Sequence, residues 1–387
     1  MFPEEVHRRR FLAWLAASPA LAQDAQPIAS PKDAINVMDF EAAARKALPP
    51  AHFGYLATGV DDDITLRANR QGFERFYLRP RRLVDIRTAD LRTEIFGTTW
   101  EMPIGLAPVG NQKAFHPEGE VPVARAAKAK RAMQVLSTAT NTSVEDVAKE
   151  LGRPPWYQLY PSSRWEVTER LVRRVEQAGC PVLALTVDTQ AGRHTETFER
   201  WKLLDKRECP VCHGTRQEDF FRRKPMFSGI DVEGLRTANA SLNWEHVRRL
   251  RKMTQMKLLI KGIETREDAQ LCRENGLDGL IVSNHGGRAE ESGRGTIECL
   301  PEIVEGAGGL AVFIDGGFRR GTDIFKALAL GAKAVFVGRP YVWGLAAFGQ
   351  PGVERVLDIL RVEFELVMKQ CGVTSVAQIG RGSVGIR

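Results

Sequence analysis

The chain has 387 residues, of which 43% are hydrophobic and 27% charged; these proportions are ordinary for a soluble globular protein and exclude a disordered or collagen-like chain. Lys and Arg outnumber Asp and Glu by 55 to 48, which gives a formal net charge of +7. The surplus is spread along the chain and suits anionic ligands, and because no RNA-recognition, zinc-finger or helix-turn-helix signature is present, we expect no nucleic acid partner.

The N-terminal residues have the layout of a bacterial export signal. Three arginines at positions 8–10 precede an apolar run from Phe11 to Ala17, and residues 20–22 (Ala-Leu-Ala) form a small-residue cleavage site. Arginines directly before such a run are typical of the twin-arginine route, and the run is too short to span a membrane. We predict an export signal and linker over residues 1–30 and a periplasmic protein; an amphipathic helix is the alternative interpretation.

From about residue 100 onward, short runs rich in Val, Ile and Leu alternate with segments of helical period, which is typical of βαβ units. Eight such runs occur: "MPIGLAP" at Met102, "QVLST" at Gln134, "WYQLY" at Trp156, "VLALTVD" at Val182, "KLLIKG" at Lys257, "GLIVSN" at Gly279, "AVFIDGG" at Ala311 and "AVFVGRP" at Ala334. The pattern predicts an α/β fold, a (β/α)8 TIM barrel within residues 31–387, preceded by a helical N-terminal segment from residue 31 to about 95.

One predicted connection is much longer than the others. Residues 189–256 separate the fourth and fifth predicted strands with a charged loop, whereas such connections usually have about 2 to 6 residues. A loop of this size over a barrel mouth is typical of a lid or a partner-docking surface, and its polar composition leaves disorder open as the alternative.

Six cysteines are too few for a disulfide framework in a chain of this length. We expect four of them to be small core residues: Cys180, Cys272, Cys299 and Cys371. The other two belong to "CPVCH", Cys209 to His213, which has the form of a c-type haem attachment site. Three interpretations stay open: a haem, a Cys209–Cys212 disulfide or solvated thiols, and a metal shared with His194 or His213.

Polar residues stand at the carboxyl ends of the predicted strands, where barrel enzymes place their chemistry. In strand order they are Ser137, Gln158 and Tyr160, Thr186 and Asp188, Lys261, His285 and Arg288, Asp315 and Arg319, and Gly338 with Arg339. Strands seven and eight end in "DGGFRRGTD" and "VGRP". Glycine turns, arginines and a helix N-terminus together form an anion site, so we predict a phosphate ligand here; glycines that serve only tight turns are the alternative.

Roles for the remaining polar residues follow from their chemistry. Asp188 can hold the imidazole of His285 in one tautomer and stabilise the imidazolium, as a general base requires. Lys261, in mid-barrel, needs an anionic partner, and the reduced pyrimidine edge of a flavin would be one. Arg288 suits bidentate capture of a carboxylate, and Tyr55 and Tyr160 offer hydroxyl donors to a substrate.

These stretches resemble the FMN-dependent α-hydroxy-acid oxidases and dehydrogenases. The resemblance covers about residues 34 to 380 and is carried by "HPEGE" at His116, "QLY" at Gln158, "LTVDT" at Leu185, "KGI" at Lys261, "VSNHGGR" at Val282, "DGGFRRGTDIFKALALGA" at Asp315 and "GRP" at Gly338. It implies oxidation of a 2-hydroxy acid to the 2-oxo acid, with FMN as cofactor and oxygen, a quinone or a cytochrome as electron acceptor. It also implies a homo-oligomer, a tetramer in this family.

The resemblance also implies roles for single residues. His285 would remove a proton from the substrate with the support of Asp188, Lys261 would stabilise the reduced flavin, and Arg288, Tyr55 and Tyr160 would hold the hydroxy acid. The residues expected to bind FMN are Ala107, Pro108, Val109, Gly110, Ser137, Gln158, Thr186, Lys261, Ser283, Asp315, Gly316, Gly317, Arg319, Gly338 and Arg339.

Three positions depart from the family pattern. His194 stands where the family has a second substrate arginine, with Arg193 beside it, and a histidine binds a carboxylate only when protonated. Ala139 stands where glycolate oxidase has a tryptophan, which predicts a substrate larger than glycolate, aromatic acids included. Gly110 stands where oxidases tend to have alanine, which favours an acceptor other than oxygen. Two alternatives stay open: an FMN barrel of isomerase type acting on another substrate, and a flavin-carrying electron protein without turnover.

Overall fold

The computed structural model describes residues 27–207, 217–236 and 239–387. Eight parallel strands form a closed barrel: β1 Ile104–Leu106, β2 Met133–Ser137, β3 Trp156–Leu159, β4 Val182–Thr186, β5 Lys257–Ile263, β6 Gly279–Val282, β7 Ala311–Ile314 and β8 Ala334–Val337. Neighbours in the chain pair in the sheet, and β8 closes the barrel on β1 with Val335 opposite Ile104. The eight predicted strands and the (β/α)8 architecture are confirmed.

Helices cover the outside of the barrel. Those that follow β1 to β8 are Val121–Ala129, Val144–Leu151, Trp165–Gln177, Trp244–Met253, Arg266–Glu274, Thr296–Ala307, Gly321–Ala329 and Arg339–Gln370. The last is two helices joined at Gly349, whose φ of 62° no regular helix allows. Each helix buries an apolar stripe against the strands, as Val167, Leu171 and Val175 do in Trp165–Gln177.

The β4–β5 connection (residues 187–256) contains more regular structure than a loop. It includes the helices Glu196–Leu203 and Gln217–Arg222, the 3-10 turn Pro225–Phe227 and the barrel helix Trp244–Met253. The predicted loop over residues 189–256 was therefore too long, because its last part is the helix that leads into β5. That helix is mostly charged and buries only Val247 and Leu250, so its apolar stripe is thin.

The N-terminal segment packs beside the barrel and is helical, as predicted, up to Arg75, whereas residues 76 to 95 form short strands and irregular chain instead of the predicted helix. It comprises Asp39–Ala47, Pro50–Ala57 and Ile64–Gln71, with 3-10 turns at Pro31–Asp33 and Gly72–Arg75. Its end forms a short antiparallel pair between Phe76–Leu78 and the C-terminal strand Val384–Ile386. The other short elements are the hairpin strands Thr93–Ile95 and Thr98–Trp100 and the 3-10 turns Gln112–Ala114, Val376–Gln378 and Arg381–Ser383.

Aromatic side chains fill the amino-terminal end of the barrel. Trp100, from the hairpin, packs on Trp156 of β3 at 5.2 Å between ring centres, and Trp156 packs on Phe313 of β7 at 5.4 Å. Phe96 and Phe336 complete this aromatic plug. Edge-to-face pairs of this kind add stability beyond the area they bury, and they leave the carboxyl ends of the strands for a cavity.

The four predicted core cysteines, Cys180, Cys272, Cys299 and Cys371, are buried as free thiols, and burial raises the thiol pKa of each. Cys209, Cys212, His213 and the predicted export signal within residues 1–26 lie outside the described residues. Among the helices that the structure describes, none combines the length and the apolar character needed to cross a bilayer.

Candidate active site

A cavity opens at the carboxyl ends of the strands, where barrels of this kind place their ligand sites. Seventeen of the predicted site residues line it: Tyr55, Ala107, Pro108, Val109, Gly110, Ser137, Ala139, Tyr160, Lys261, His285, Arg288, Asp315, Gly316, Gly317, Arg319, Gly338 and Arg339. They come from the N-terminal helix Pro50–Ala57 and from the ends of seven strands, all but β4. The barrel therefore brings together side chains that are up to 280 residues apart in the chain, roughly the span from Tyr55 to Arg339.

The imidazole of His285 lies between a carboxylate and a phenol. Its Nδ1 is 2.9 Å from Oδ1 of Asp188, and its Nε2 is 3.1 Å from the hydroxyl of Tyr160. Because an ionised carboxylate only accepts hydrogen bonds, Nδ1 carries the proton and donates it to Asp188. The lone pair of Nε2 then accepts from the Tyr160 hydroxyl, which lines the cavity. The predicted pairing of His285 with Asp188 is present.

The electrostatic surroundings keep this imidazole neutral. Burial lowers the pKa of His285 to about 3, with a further lowering by the charge of Arg193, and the Asp188 carboxylate only partly offsets these effects. Burial acts to raise the pKa of Asp188, but its interactions with His285 and Lys261 outweigh burial, so the net pKa lies below its usual range. Burial also holds the pKa of Tyr160 well above that of a free phenol. The site thus presents an unprotonated base, a carboxylate and a hydroxyl donor.

The backbone that carries His285 is unusual. Its φ is 57°, and the following Gly286 and Gly287 have φ of 69° and 76°, so three successive residues adopt the left-handed conformation. A Cβ at Gly287 would lie 2.5 Å from the backbone of Leu66, which only glycine tolerates. The amide of Gly287 also donates to Oδ1 of Asn284 at 3.0 Å. A non-glycine residue held at positive φ is often found at functional sites.

Lys261 projects from β5 into a buried polar chain. Its Nζ donates to Oγ of Ser283 at 2.6 Å and lies 3.1 Å from Oδ2 of Asp315. The Ser283 hydroxyl in turn donates to Oδ1 of Asp315 at 2.7 Å, and Asp188 Oδ2 is 4.0 Å from Nζ. The anionic partner that Lys261 requires is therefore Asp315, with Asp188 farther away. Ser283 stands behind the cavity wall and orients both groups.

A second polar chain runs along the ends of β2, β3 and β4. The hydroxyl of Ser137 donates to Oε1 of Gln158 at 2.8 Å, and Nε2 of Gln158 donates to the hydroxyl of Thr186 at 2.8 Å. Only Ser137 of the three lines the cavity. Gln158 and Thr186, both about 1% exposed, support it from behind.

Arg288 supplies a buried guanidinium beside the base. Its NH1 donates to the carbonyls of Tyr55 and Thr58 at 2.6 and 2.9 Å, and its central carbon lies 4.1 Å from the ring centre of Tyr55. Burial lowers its pKa, yet a guanidinium stays charged at neutral pH. Among the described residues, Nε of Arg288 has no hydrogen-bond acceptor, so a donor remains for a carboxylate.

The structure does not place His194 in the cavity. Its imidazole is 70% exposed and lies 2.6 Å from Oδ1 of Asp61. Its neighbour Arg193 is half-buried, and its charge acts to lower the pKa values of Tyr160, His285 and Arg288. Neither residue lines the cavity, but Arg193, one position before the residue that the sequence pattern indicated, acts on it through its charge.

The far end of the cavity is built for an anion. Arg319 and Arg339 both line it, and burial lowers their pKa values to about 10 and about 9, with a further lowering of each by a neighbouring arginine. Gly316 and Gly317 adopt φ of 99° and 79°, and helix Gly321–Ala329 begins directly after them. Cationic side chains, a glycine turn and a helix N-terminus favour a phosphate.

Some of the donors at this end are already used. Arg339 donates to the carbonyls of Leu56, Thr58 and Gly286 at 2.5 to 2.9 Å, whereas Arg319 donates to its neighbour Phe318 at 2.9 Å and lies over the ring of Trp343 at 4.6 Å. Arg319 is the better placed of the two to bind a phosphate directly. Together with the Lys261 chain, these groups fit FMN, whose phosphate and anionic ring edge both need cationic partners.

Gly110 and Ala139 face each other across the cavity wall. A Cβ at Gly110 would lie 2.6 Å from Cβ of Ala139 and 3.2 Å from its carbonyl oxygen, closer than two carbon atoms can approach. This packing requires glycine at position 110 whatever the electron acceptor is. Glycine at position 110 therefore does not indicate which electron acceptor the protein uses. The small side chain of Ala139 keeps this part of the cavity wall thin.

The sequence analysis missed several residues of the site. Asn111 and Phe318 line the cavity, and each directly follows a residue that was predicted to bind FMN. Val342, which also lines the cavity, lies in the helix after β8. Within the described residues, no three His, Cys, Asp or Glu side chains lie together as metal ligands.

Comparisons with known proteins give a consistent result. The model of the FMN-dependent dehydrogenase family matches residues 44–385. Glycolate oxidase 5 of Oryza sativa subsp. japonica is 42% identical over 363 residues, which cover 90% of this chain and 95% of the relative. A peroxisomal (S)-2-hydroxyacid oxidase of Arabidopsis thaliana is 39% identical over 351 residues, with 90% and 96% coverage. A soluble mutant of the membrane-associated (S)-mandelate dehydrogenase from Pseudomonas putida has a TM-score of 0.85 at 34% identity and covers 92% of this chain and 100% of its own.

Proposed function

The chain belongs to the FMN-dependent dehydrogenase family, and from this premise we propose that it oxidises a 2-hydroxy acid with a side chain larger than that of glycolate. It is an FMN-dependent oxidoreductase that acts on a CH–OH group. The observation that carries the proposal is the convergence, in one cavity, of a neutral imidazole, the guanidinium of Arg288 and a tyrosine hydroxyl. Alanine at position 139 supports a larger substrate, because its methyl group leaves the wall beside the base open.

The residues of the cavity divide between the cofactor and the substrate. Arg319, Arg339 and the turn at Gly316 would hold the phosphate, and Lys261 would meet the anionic edge of the flavin ring. When bound, FMN supplies the chemistry of accepting two electrons from the substrate carbon. The side chains on the opposite wall, His285, Arg288 and Tyr160, are left for the substrate.

The protein supplies orientation and a proton acceptor. Arg288 and Arg193 bind the substrate carboxylate, which fixes the carbon that carries the hydroxyl near Nε2 of His285. The substrate loses two protons and two electrons as it becomes the 2-oxo acid. His285 takes one proton, and the other proton and both electrons would go to FMN when it is bound. The Asp188 carboxylate stabilises the imidazolium that forms. The substrate carboxylate also counters the arginine charges that lower the pKa of His285, so binding makes the base stronger.

The test is anaerobic mixing of the purified, FMN-loaded protein with a panel of 2-hydroxy acids. Bleaching of the flavin absorbance by one of them is the expected result. An intact flavin spectrum with every member would refute the proposal and favour either an isomerase-type enzyme or an electron carrier without turnover. Reoxidation of the bleached enzyme by oxygen, a quinone or a cytochrome then identifies the electron acceptor.

We also propose that the chain is exported by the twin-arginine route and assembles as a homo-oligomer, a tetramer. The first part is supported by the arginines at positions 8–10 and the apolar run after them. Fractionation of cells that produce the full chain, beside a variant with lysines at these three positions, tests it: the variant should stay in the cytoplasm. Sedimentation of the purified protein tests the second.

A further inference from the structure

The first helix of the β4–β5 connection lies directly on the helix that carries Tyr55. Helix Glu196–Leu203 packs along helix Pro50–Ala57. The aromatic side chains that make this contact, Phe198 and Trp201, are three positions apart in the chain and therefore share one face of their helix. Neither of them lines the catalytic cavity, so their effect on the reaction has to pass through the helix that they touch.

The two helices approach each other closely at Gly54 and Trp201. A Cβ at Gly54 would lie 2.4 Å from Cβ and 2.6 Å from Cγ of Trp201, so only glycine allows this approach. The indole also packs edge-on to Phe53 at 5.5 Å between ring centres, and Cζ of Arg45 lies 5.7 Å from the ring centre of Trp201. The N-terminal segment therefore holds the indole through a backbone, a ring and a cation.

A carboxylate from the same connection caps the start of helix Pro50–Ala57. Pro49, the residue before this helix, provides no side-chain cap, and the amide of Ala51 donates instead to Oδ2 of Asp205 at 3.4 Å. The Asp205 side chain is 6% exposed and pairs with Arg207 at 2.8 Å. A carboxylate is favoured at a helix N-terminus by the helix dipole. The connection thus fastens this helix at its first turn as well as at its middle.

The ion pair between His194 and Asp61 joins the same two segments but is a weaker fastening. The two side chains are 70% and 43% exposed, and exposed ion pairs contribute little because solvent screens them. Trp201, in contrast, is half-buried, and its indole excludes water from the contact. The aromatic contact therefore does most to keep the helix in place.

The fastened helix holds the guanidinium that faces the substrate. NH1 of Arg288 donates to the carbonyls of Tyr55 and Thr58 at 2.6 and 2.9 Å, and its central carbon lies 4.1 Å from the ring centre of Tyr55. Phe198 packs edge-on to the same tyrosine ring at 5.9 Å. The direction of Arg288 is therefore set by a backbone and a ring that the connection holds.

We infer that Trp201 is a positioning residue, which holds helix Pro50–Ala57 so that Arg288 stays directed at the substrate carboxylate. This inference rests on the proposed function, because that function assigns the carboxylate to Arg288. The β4–β5 connection then contributes to substrate binding through its packing on the N-terminal helix. The base His285 and its partner Asp188 follow the barrel strands β6 and β4 and do not depend on this contact.

The experiment measures flavin reduction at increasing concentrations of the hydroxy acid that bleaches the flavin fastest, which gives an apparent Kd and a limiting rate. Trp201→Ala should raise the Kd about tenfold or more and lower the limiting rate less than about threefold, because it weakens binding and leaves the base in place. Trp201→Phe keeps a ring against Gly54 and should stay within about threefold of the wild-type Kd.

A second variant tests the contact from the other helix. Gly54→Ala adds a Cβ where Trp201 lies, so it should raise the Kd as Trp201→Ala does. Alanine is a better helix former than glycine, so a weakened helix cannot explain that result. The matched control is Trp165→Ala, which removes a half-buried tryptophan with Cζ of Arg249 at 3.9 Å from its ring centre and should leave both constants within about twofold.

A readout without substrate is hydrogen exchange of the backbone amides of residues 53–58 in the FMN-loaded protein, which should be about tenfold faster or more in Trp201→Ala. The inference is overturned if this exchange is unchanged, if Gly54→Ala leaves the Kd within threefold, or if Trp165→Ala raises the Kd as much. Gly54→Ala carries the test if Trp201→Ala fails to fold. If no hydroxy acid reduces the wild-type flavin, the proposed function fails, and exchange still decides whether Trp201 holds the helix.

Discussion

Asp188→Asn is the variant that tests the proposed chemistry most directly. The carboxylate lies 2.9 Å from Nδ1 of His285, so it faces the positive charge that forms on the imidazole during the reaction. Two unit charges about 4 Å apart attract by roughly 4 kcal/mol at an effective dielectric constant near 20. A neutral amide removes this attraction from the transition state. Since about 1.4 kcal/mol corresponds to a factor of ten in rate, flavin reduction should slow by about a thousandfold.

The assay is stopped-flow bleaching of the flavin under anaerobic conditions at saturating hydroxy acid. Asp188 does not line the catalytic cavity, so the variant should keep its FMN and its flavin absorbance. Asp278→Asn is the control: Asp278 pairs with Arg251 and Lys257 at the opposite end of the barrel, and its loss should leave the reduction rate unchanged. A rate for Asp188→Asn within tenfold of wild type would refute the role of this carboxylate.

Two further predictions concern the same site, and a third concerns the cysteine pair at positions 209 and 212. Between pH 6.5 and 3 the unfolded chain binds a proton at His285 that the folded protein excludes, so the free energy of unfolding should fall by roughly 2 kcal/mol between pH 7 and 5. The variant His285→Gln lacks this proton-binding group, so its urea unfolding should depend less on pH over this range. Equal pH dependence in the two proteins would contradict a buried neutral imidazole. In steady-state kinetics, Arg193→Met should raise the KM for the hydroxy acid about tenfold or more, whereas His194→Ala should change it by less than twofold. The opposite order of effects would indicate that His194 is the substrate ligand. An absorbance spectrum of the purified protein should show flavin bands without a sharp Soret band, whereas a Soret band means that Cys209 and Cys212 carry haem.

Much of the site was predictable because the barrel imposes it. The carboxyl ends of parallel strands meet on one face, so the polar residues that end β3 to β8 had to converge, and Asp188, Lys261 and His285 do. The phosphate-binding end of the cavity was predictable for the same reason, because the turns after β7 and β8 lie on that face. These predictions needed only the chain positions where apolar runs stop.

The remaining features depend on contacts that no local pattern records. The turn after β4 has no periodicity, and the contact that holds His194 outside the cavity comes from Asp61, which lies 133 residues earlier in the chain. The steric reason for Gly110 is visible only when Ala139 lies opposite it.

The aromatic plug formed by Trp100, Trp156, Phe313 and their neighbours has a consequence for the order of events in turnover. It closes the amino-terminal end of the barrel, so in the part of the chain that the structure describes the reaction chamber opens at the carboxyl ends of the strands. The same opening must therefore admit the hydroxy acid, release the oxo acid and admit any small acceptor, one after another. Double-reciprocal plots at several acceptor concentrations should accordingly give parallel lines, the pattern of an enzyme that releases its first product before the second reactant arrives.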